Sequence, residues 1–245
     1  MTGDQFVIIV AIAGVVSVVK NVAGFGYPLL LLPILAQFID VVDAVLIIAP
    51  SNLFLNVGLC WKLRELHAQA TTLNTFVTAG AVGVVGGTLL LPLIPAQVFR
   101  LILFLVLIVF LINRLSGVKF TLADSTAHRW APVAGGFSGL FQGAVGVSGP
   151  LVTPWFLSVD LERDTFVYSV SFFFGVTGVG QIAVASLSQL YTSETLLIGL
   201  ALIPLSAVSL PVGDAIRDRI SVSAFERVVI GLLVIAAITL LIRIL

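Results

Sequence analysis

The sequence predicts an all-α polytopic membrane protein made of two inverted repeats, and three observations carry that prediction. The chain is 59% hydrophobic and only 10% charged, where soluble domains carry about 25% charged residues. Apolar runs of about 20 residues, enough to cross a hydrocarbon core about 30 Å thick, recur along it between short polar segments. A Gly/Pro-interrupted apolar motif occurs twice, KNVAGFGYPLLLLPIL at 20–35 and QGAVGVSGPLVTPWFL at 142–157. Pro28 and Pro150 lie 122 residues apart in a chain of 245. The expected units are therefore 1–122 and 123–245, each a Gly/Pro-broken re-entrant helical hairpin followed by three crossing helices.

Taken in order, the chain starts with MTGDQFV, which lacks the positive n-region of a cleaved signal peptide, so the first apolar segment is expected to stay. The segment 5–38 is awkward in length. As one straight helix its 34 residues would span about 51 Å; two complete crossings and a turn would need more than about 40 residues. A break in the middle suits either a broken single crossing or a re-entrant hairpin, and 130–158 has the same character. Irregular backbone at that depth is tolerated only where protein or a cavity surrounds it. Crossing helices are expected near 42–61, 73–91, 98–112, 166–186, 196–210 and 225–244, with polar segments at 62–70, 114–129, 160–164 and 214–223. The duplication extends past the motif: GGTLLLPLIPAQVFR, ending at Arg100, aligns with VGDAIRDRISVSAFE, ending at Glu226, so that Gly87 meets Gly213 and Phe99 meets Phe225.

Positive charge favours the hairpin, because cytoplasmic loops are enriched in Lys and Arg. Single crossings divide the basic residues six against five. Hairpins place Lys62, Arg64, Arg114, Lys119, Arg129, Arg163, Arg217, Arg219 and Arg227 on one side, with only Arg100 and Arg243 on the other. Nine against two is a strong bias. Three net crossings per half then invert the repeats and put both termini on the non-cytoplasmic side of a cell (inner) membrane.

The motifs also hold the residues suited to a site. Proline is favoured at the first helical position, so Pro28 and Pro150 read as the starts of returning arms. Gly24, Gly26, Gly146 and Gly149 would permit tight turns and close backbone approach to a ligand. A helix N-terminus carries partial positive charge and unpaired N–H groups, which suits a small oxyanion. Close helix packing is the other reading of the same glycines. Lys20 is the one basic residue set deep in an apolar run, and an intramembrane charge is a functional hypothesis by default; snorkelling is its bland alternative. Its counterpart Gln142 makes the pair asymmetric, with charge supplied once. Asn52 and Asn56, and Thr177 and Gln181, are i, i+4 pairs that share a helix face, able to line a cavity or to bond between helices. Asn21, Tyr27, Ser148 and Thr153 complete the candidate substrate-binding set.

The paired G-x-G/S-x-P…P motifs, together with the size and the two halves, resemble the TauE/SafE family of sulfite exporters and sulfonate or organosulfur permeases. The first copy departs from the family's usual glycine run, reading Gly24-Phe25-Gly26-Tyr27, and the second carries Ser148 within it. The resemblance implies transport of sulfite or small organosulfonates. Residue chemistry alone reaches a secondary transporter of small anions, working by alternating access with a midplane site at the two breaks. A permease for small carboxylates and a non-transporting membrane subunit are the alternatives.

Other classes find little support. The sequence has no H-E-x-x-H, P-loop or G-x-S-x-G, and no Cys/His/carboxylate cluster suited to a metal. No enzyme, cofactor or metal is expected. A net charge of zero gives no reason to expect nucleic acid; the partners implied are a small anionic substrate and the lipid bilayer. The single Cys60 reads as a small packing residue. Trp61, Trp130 and Trp155 read as interfacial anchors, and His67 and His128 as solvated loop residues.

Overall fold

The computed structural model describes residues 3–23, 26–116, 121–217 and 222–244. Every regular element among them is helical: α1 (Gly3–Ala23), α2 (Tyr27–Leu35), α3 (Val41–Lys62), α4 (Leu73–Leu90), α5 (Ala96–Ser116), α6 (Asp124–Val145), α7 (Gly149–Ser158), α8 (Arg163–Leu187), α9 (Ser193–Arg217) and α10 (Val222–Ile244). Short 3₁₀ segments, Arg64–Gln69 and Leu91–Leu93, flank α4. Among the described residues, four stretches are long and apolar enough to cross a membrane: Val41–Lys62, Leu73–Leu93, Ala96–Ser116 and Arg163–Leu187. Shorter apolar stretches lie in α1, α9 and α10.

Helices form at all six positions where crossings are expected, four of them long and apolar enough to cross a membrane, and several helices continue into the charged segments. Helix α9 runs to Arg217 past Asp214, and α6 begins at Asp124. Charge marks where a helix leaves hydrocarbon, not where its hydrogen-bond ladder must end. Where a helix does begin afresh, local chemistry supplies the reason: the Val42 amide donates to Asp40 Oδ1 at 2.8 Å, which caps α3.

Two compact units divide the chain, one comprising Met1–Ser51, Pro95–Leu115 and Tyr191–Leu245, the other Asn52–Ile94 and Ser116–Leu190. Each draws on both sequence halves. In the first, α1 packs along α9, and α2 against α1 and α10. Gly199 of α9 lies close to α3, where a Cβ would come within 3.1 Å of the Ile47 carbonyl oxygen. Tyr191 Oη donates to the Leu46 carbonyl at 3.2 Å, and burial pushes that phenol's pKa well up. Gln37 Nε2, just beyond α2, donates to Thr239 Oγ1 on α10 at 2.9 Å.

In the second unit α4 lies against α6 and α8, and α7 against α6 and α8. The α4–α6 seam is glycine against backbone. A Cβ on Gly135 would run into Phe76, one on Gly139 into Gly80, and one on Gly143 into Val84 and Thr88. Small residues permit this approach, and dispersion contacts between close backbones then hold helices together where lipid is as apolar as leucine. Around the seam Phe76 stacks on Trp155 (centroids 5.4 Å apart) and meets Phe156 and Phe173.

Candidate functional site

Both motif segments break at the glycines. In the first unit α1 ends at Ala23 and α2 begins at Tyr27, with N-cap Gly26 at φ 100°, a left-handed conformation that glycine adopts without strain. Pro28 sits in the first turn, and no side chain caps the helix. In the second unit α6 closes on Gly146 at φ 73°, whose amide donates to the Gln142 carbonyl at 2.9 Å. Helix α7 then starts at Gly149-Pro150, again without a side-chain cap. A Cβ on Gly26 or on Gly149 would meet no atom within 4 Å. These two glycines therefore border open space, unlike those of the α4–α6 seam.

The lengths are informative. Helices α1 and α6, with 21 and 22 residues, span about 32 Å, whereas α2 and α7, with 9 and 10, reach only about 14 to 15 Å. Tyr27 Oη lies 3.0 Å from Ser51 Oγ, ten residues or about 15 Å along α3 from its start at Val41. The start of α2 is thus level with the middle of α3.

A knot of buried hydroxyls fixes that level. Ser51 donates to the Ile48 carbonyl at 3.1 Å, which leaves its oxygen to accept from Tyr27. Ser17 donates to the Ala13 carbonyl at 2.7 Å, so the Ser206 hydroxyl, 3.3 Å away, donates to Ser17. All four side chains have no exposed surface. Sequence reasoning missed the three serines; Ser17 shares a face of α1 with Lys20, three residues on, and that was the available signal. Lys20 is only 2% exposed. Gly24 lies outside the described residues, and so does the side chain of Asn21.

In the second unit an amide network spans the break. Gln142 Nε2 donates to Gln181 Oε1 at 3.3 Å and to the Gly146 carbonyl at 3.5 Å. Gln181 Nε2 donates to the Gln142 carbonyl at 3.1 Å, and Ser148 Oγ to Gln142 Oε1 at 3.0 Å. The break thus frees carbonyls, and side chains take up their hydrogen-bonding capacity. Thr177 donates to its own helix at Phe173 O, 2.7 Å away. Thr153, on the face of α7 that carries Gly149, is buried with its Oγ1 unpartnered. Asn52 and Asn56 are both buried, and Asn56 Nδ2 donates to the Asn52 carbonyl at 2.7 Å, as the i, i+4 spacing required.

Two peripheral expectations are corrected. Trp155 is packed on Phe76 with its Nε1 buried and unpartnered rather than presented to an interface. His67 is partly buried: its Nδ1 lies 2.8 Å from Tyr168 Oη and its ring meets Phe172 edge-on at 5.2 Å. His128 is exposed, with Nδ1 2.9 Å from the Asp124 carbonyl.

Apolar helices of membrane-crossing length, with two corresponding segments broken at Gly/Pro turns, define a helical membrane protein. The model of the sulfite exporter TauE/SafE family matches residues 9–240, a span that takes in both breaks, and the chain belongs to that family. No curated protein and no solved structure matches it.

Proposed function

We propose that this protein is a secondary transporter of small sulfur oxyanions, sulfite or small organosulfonates, which works by alternating access of two inverted repeats, 1–122 and 123–245. The observation that carries the reading is the twinned break. Each copy has a glycine in a left-handed turn, a proline opening a short helix, an uncapped N-terminus and open space beside a glycine. Uncapped N–H groups beside space suit an anion's oxygen atoms, and Lys20 supplies a buried ammonium. The half-length of α2 and its start level with the middle of α3 support a re-entrant arm. Helix packing supports the duplication: α1 packs on α9 as α6 packs on α4, and these are equivalent pairs with the repeats exchanged. The positive-charge bias supports both termini lying on the non-cytoplasmic side of a cell membrane.

In this reading Lys20 is the countercharge, and the main chain at Gly26-Tyr27-Pro28 and Ser148-Gly149-Pro150 directs the oxygens. Asn21, Gly24, Asn52, Asn56, Gln142, Gly146, Thr153, Thr177 and Gln181 line or shape the path. The test is counterflow of labelled sulfite in proteoliposomes, with small sulfonates as competitors. The native protein should give saturable flux that sulfonates block. Lys20→Ala and Gly149→Leu, each still folded, should abolish it; the leucine has room to enter because the glycine borders space. Unaltered flux in both variants would remove the proposed site.

A further inference from the structure

We propose that the second break is an oxyanion site built within its own compact unit, where the Thr153 hydroxyl and the main-chain amides of Val147, Ser148 and Gly149 bind the oxygens of a sulfite or sulfonate head. This rests on the carrier reading and names the groups that recognise its substrate at that break. All of them lie in the unit formed by Asn52–Ile94 and Ser116–Leu190.

The main chain at the break is rich in open donors. The Gly146 amide donates to the Gln142 carbonyl, and those of Leu151 and Val152 turn back to the Ser148 carbonyl at 2.9 and 3.0 Å. Between them, the amides of Val147, Ser148 and Gly149 reach no acceptor among the described residues, and Pro150 has no N–H to give. Val147 and Ser148 are buried, and a buried N–H is costly until it finds a partner. Successive N–H groups beside a residue in the left-handed region, here Gly146, make a concavity that takes anions. The carbonyls that would repel an anion are occupied: Gly146 accepts from Gln142 Nε2, and Gln142 from Gln181 Nε2.

Thr153 adds a hydroxyl to these amides. Helical hydroxyls in this unit commonly donate to the carbonyl four residues back, as those of Thr78, Thr88, Ser169 and Thr177 do. Thr153 is 8% exposed, and its buried Oγ1 has no partner among the described residues. It stands one turn after Gly149 on the same face of α7, and a helical side chain leans toward the N-terminus of its helix. The hydroxyl is thus turned toward the break, where a Cβ on Gly149 would meet no atom within 4 Å. Amides and hydroxyl alike are uncharged donors, and each bond they make to a charged oxygen is stronger than one to a neutral acceptor.

The experiment follows thermal unfolding of the purified full-length protein across separate sulfite and methanesulfonate series, whose concentration dependence gives Kd. Both ligands should stabilise the native protein. Thr153→Val keeps the shape of the side chain and removes the hydroxyl. Its ligand-free Tm should equal or exceed the native one, because an unpartnered buried hydroxyl is lost. Its Kd for methanesulfonate should weaken about tenfold to a hundredfold, the worth of a hydrogen bond to a charged group. Thr153→Ser should bind as the native protein does, and Thr153→Ala, expected to weaken binding as valine does, replaces valine if that variant fails to fold. Native affinity in Thr153→Val, or serine as weak as valine, overturns the inference and leaves the carrier reading standing. So does a native protein that carries labelled sulfite yet is stabilised by neither ligand. If it neither carries nor binds, the carrier reading falls and this inference falls with it.

Discussion

The α4–α6 seam makes a sharp quantitative prediction, because neighbouring glycines on one helix should respond to alanine with opposite signs. A Cβ on Gly139 would strike the Gly80 carbonyl oxygen and come within 2.6 Å of its carbon and 2.7 Å of its Cα. These are backbone atoms and cannot rotate aside, so one helix has to move. Overpacking of this kind costs about 1 to 3 kcal/mol, and the gain in helix propensity from glycine to alanine returns only about 0.8 to 1.0 kcal/mol. Gly139→Ala should therefore lose up to about 2 kcal/mol, a fall in Tm of up to about 8 °C for a chain of this size. Three residues earlier, a Cβ on Gly136 would meet only the Ala79 carbonyl oxygen at 3.8 Å, an ordinary contact. Gly136→Ala should keep the propensity gain and unfold at the native temperature or a few degrees above. The single cysteine supplies the assay: Cys60 is partly buried and falls in the same compact unit as α4 and α6. Its labelling by a thiol-reactive fluorophore during a thermal ramp reports that unit's opening. If Gly139→Ala unfolds at or above the native temperature, the seam is looser than described and the argument from backbone contact fails.

Two further outcomes follow from the same reasoning. Gln142→Leu or Gln181→Leu alone leaves buried partners unsatisfied and should cost about 1 to 3 kcal/mol. The double substitution should cost less than the sum, because the two residues share one network; strict additivity in thermal unfolding would dissolve it. Tyr191 gives a pH signature whose sign is fixed. Its folded pKa is raised by burial, so the folded state keeps a proton that the unfolded chain releases near pH 10. That stability is complete below about pH 10 and is lost as pH rises further. Tyr191→Phe should flatten the alkaline fall in Tm, and an unchanged alkaline limb would show that other groups cause it.

Much of the fold was legible because its signals are local. Glycine and proline act on the residues beside them, so the ends of α1 and α6 and the starts of α2 and α7 follow from KNVAGFGYP and QGAVGVSGP. Helix ends beyond the membrane were less legible. The run from Asp214 to Arg217 is polar enough to end a crossing, yet nothing in it stops a helix. The site was legible in part: Gly26, Tyr27, Pro28, Gly149 and Pro150 sit at the breaks, but Ser51, which holds the Tyr27 hydroxyl, comes from α3, and no local pattern joins the two.

The glycines show why sequence alone stops where it does. With 22 of them, spacing offers two interpretations for each, a turn or a close approach, and both kinds are present. Gly135, Gly139 and Gly143 recur every four residues on one face of α6, a pattern for close packing, and Gly146 continues the series within one residue of register. Gly146 differs by its positive φ, and Gly149 by the space beside it. Neither property belongs to the residue; the first depends on where the helix ends and the second on what lies against it. The packing glycines thus bring α4 and α6 within backbone contact, just ahead of the turn where α6 gives way to α7. A substitution at Gly139 that spreads the seam would also move Gln142, one helical turn further on, and with it the bonds that hold the break. Stability and transport are therefore expected to fail together at Gly139, and separately at Gly149, where a side chain fills space without moving a helix.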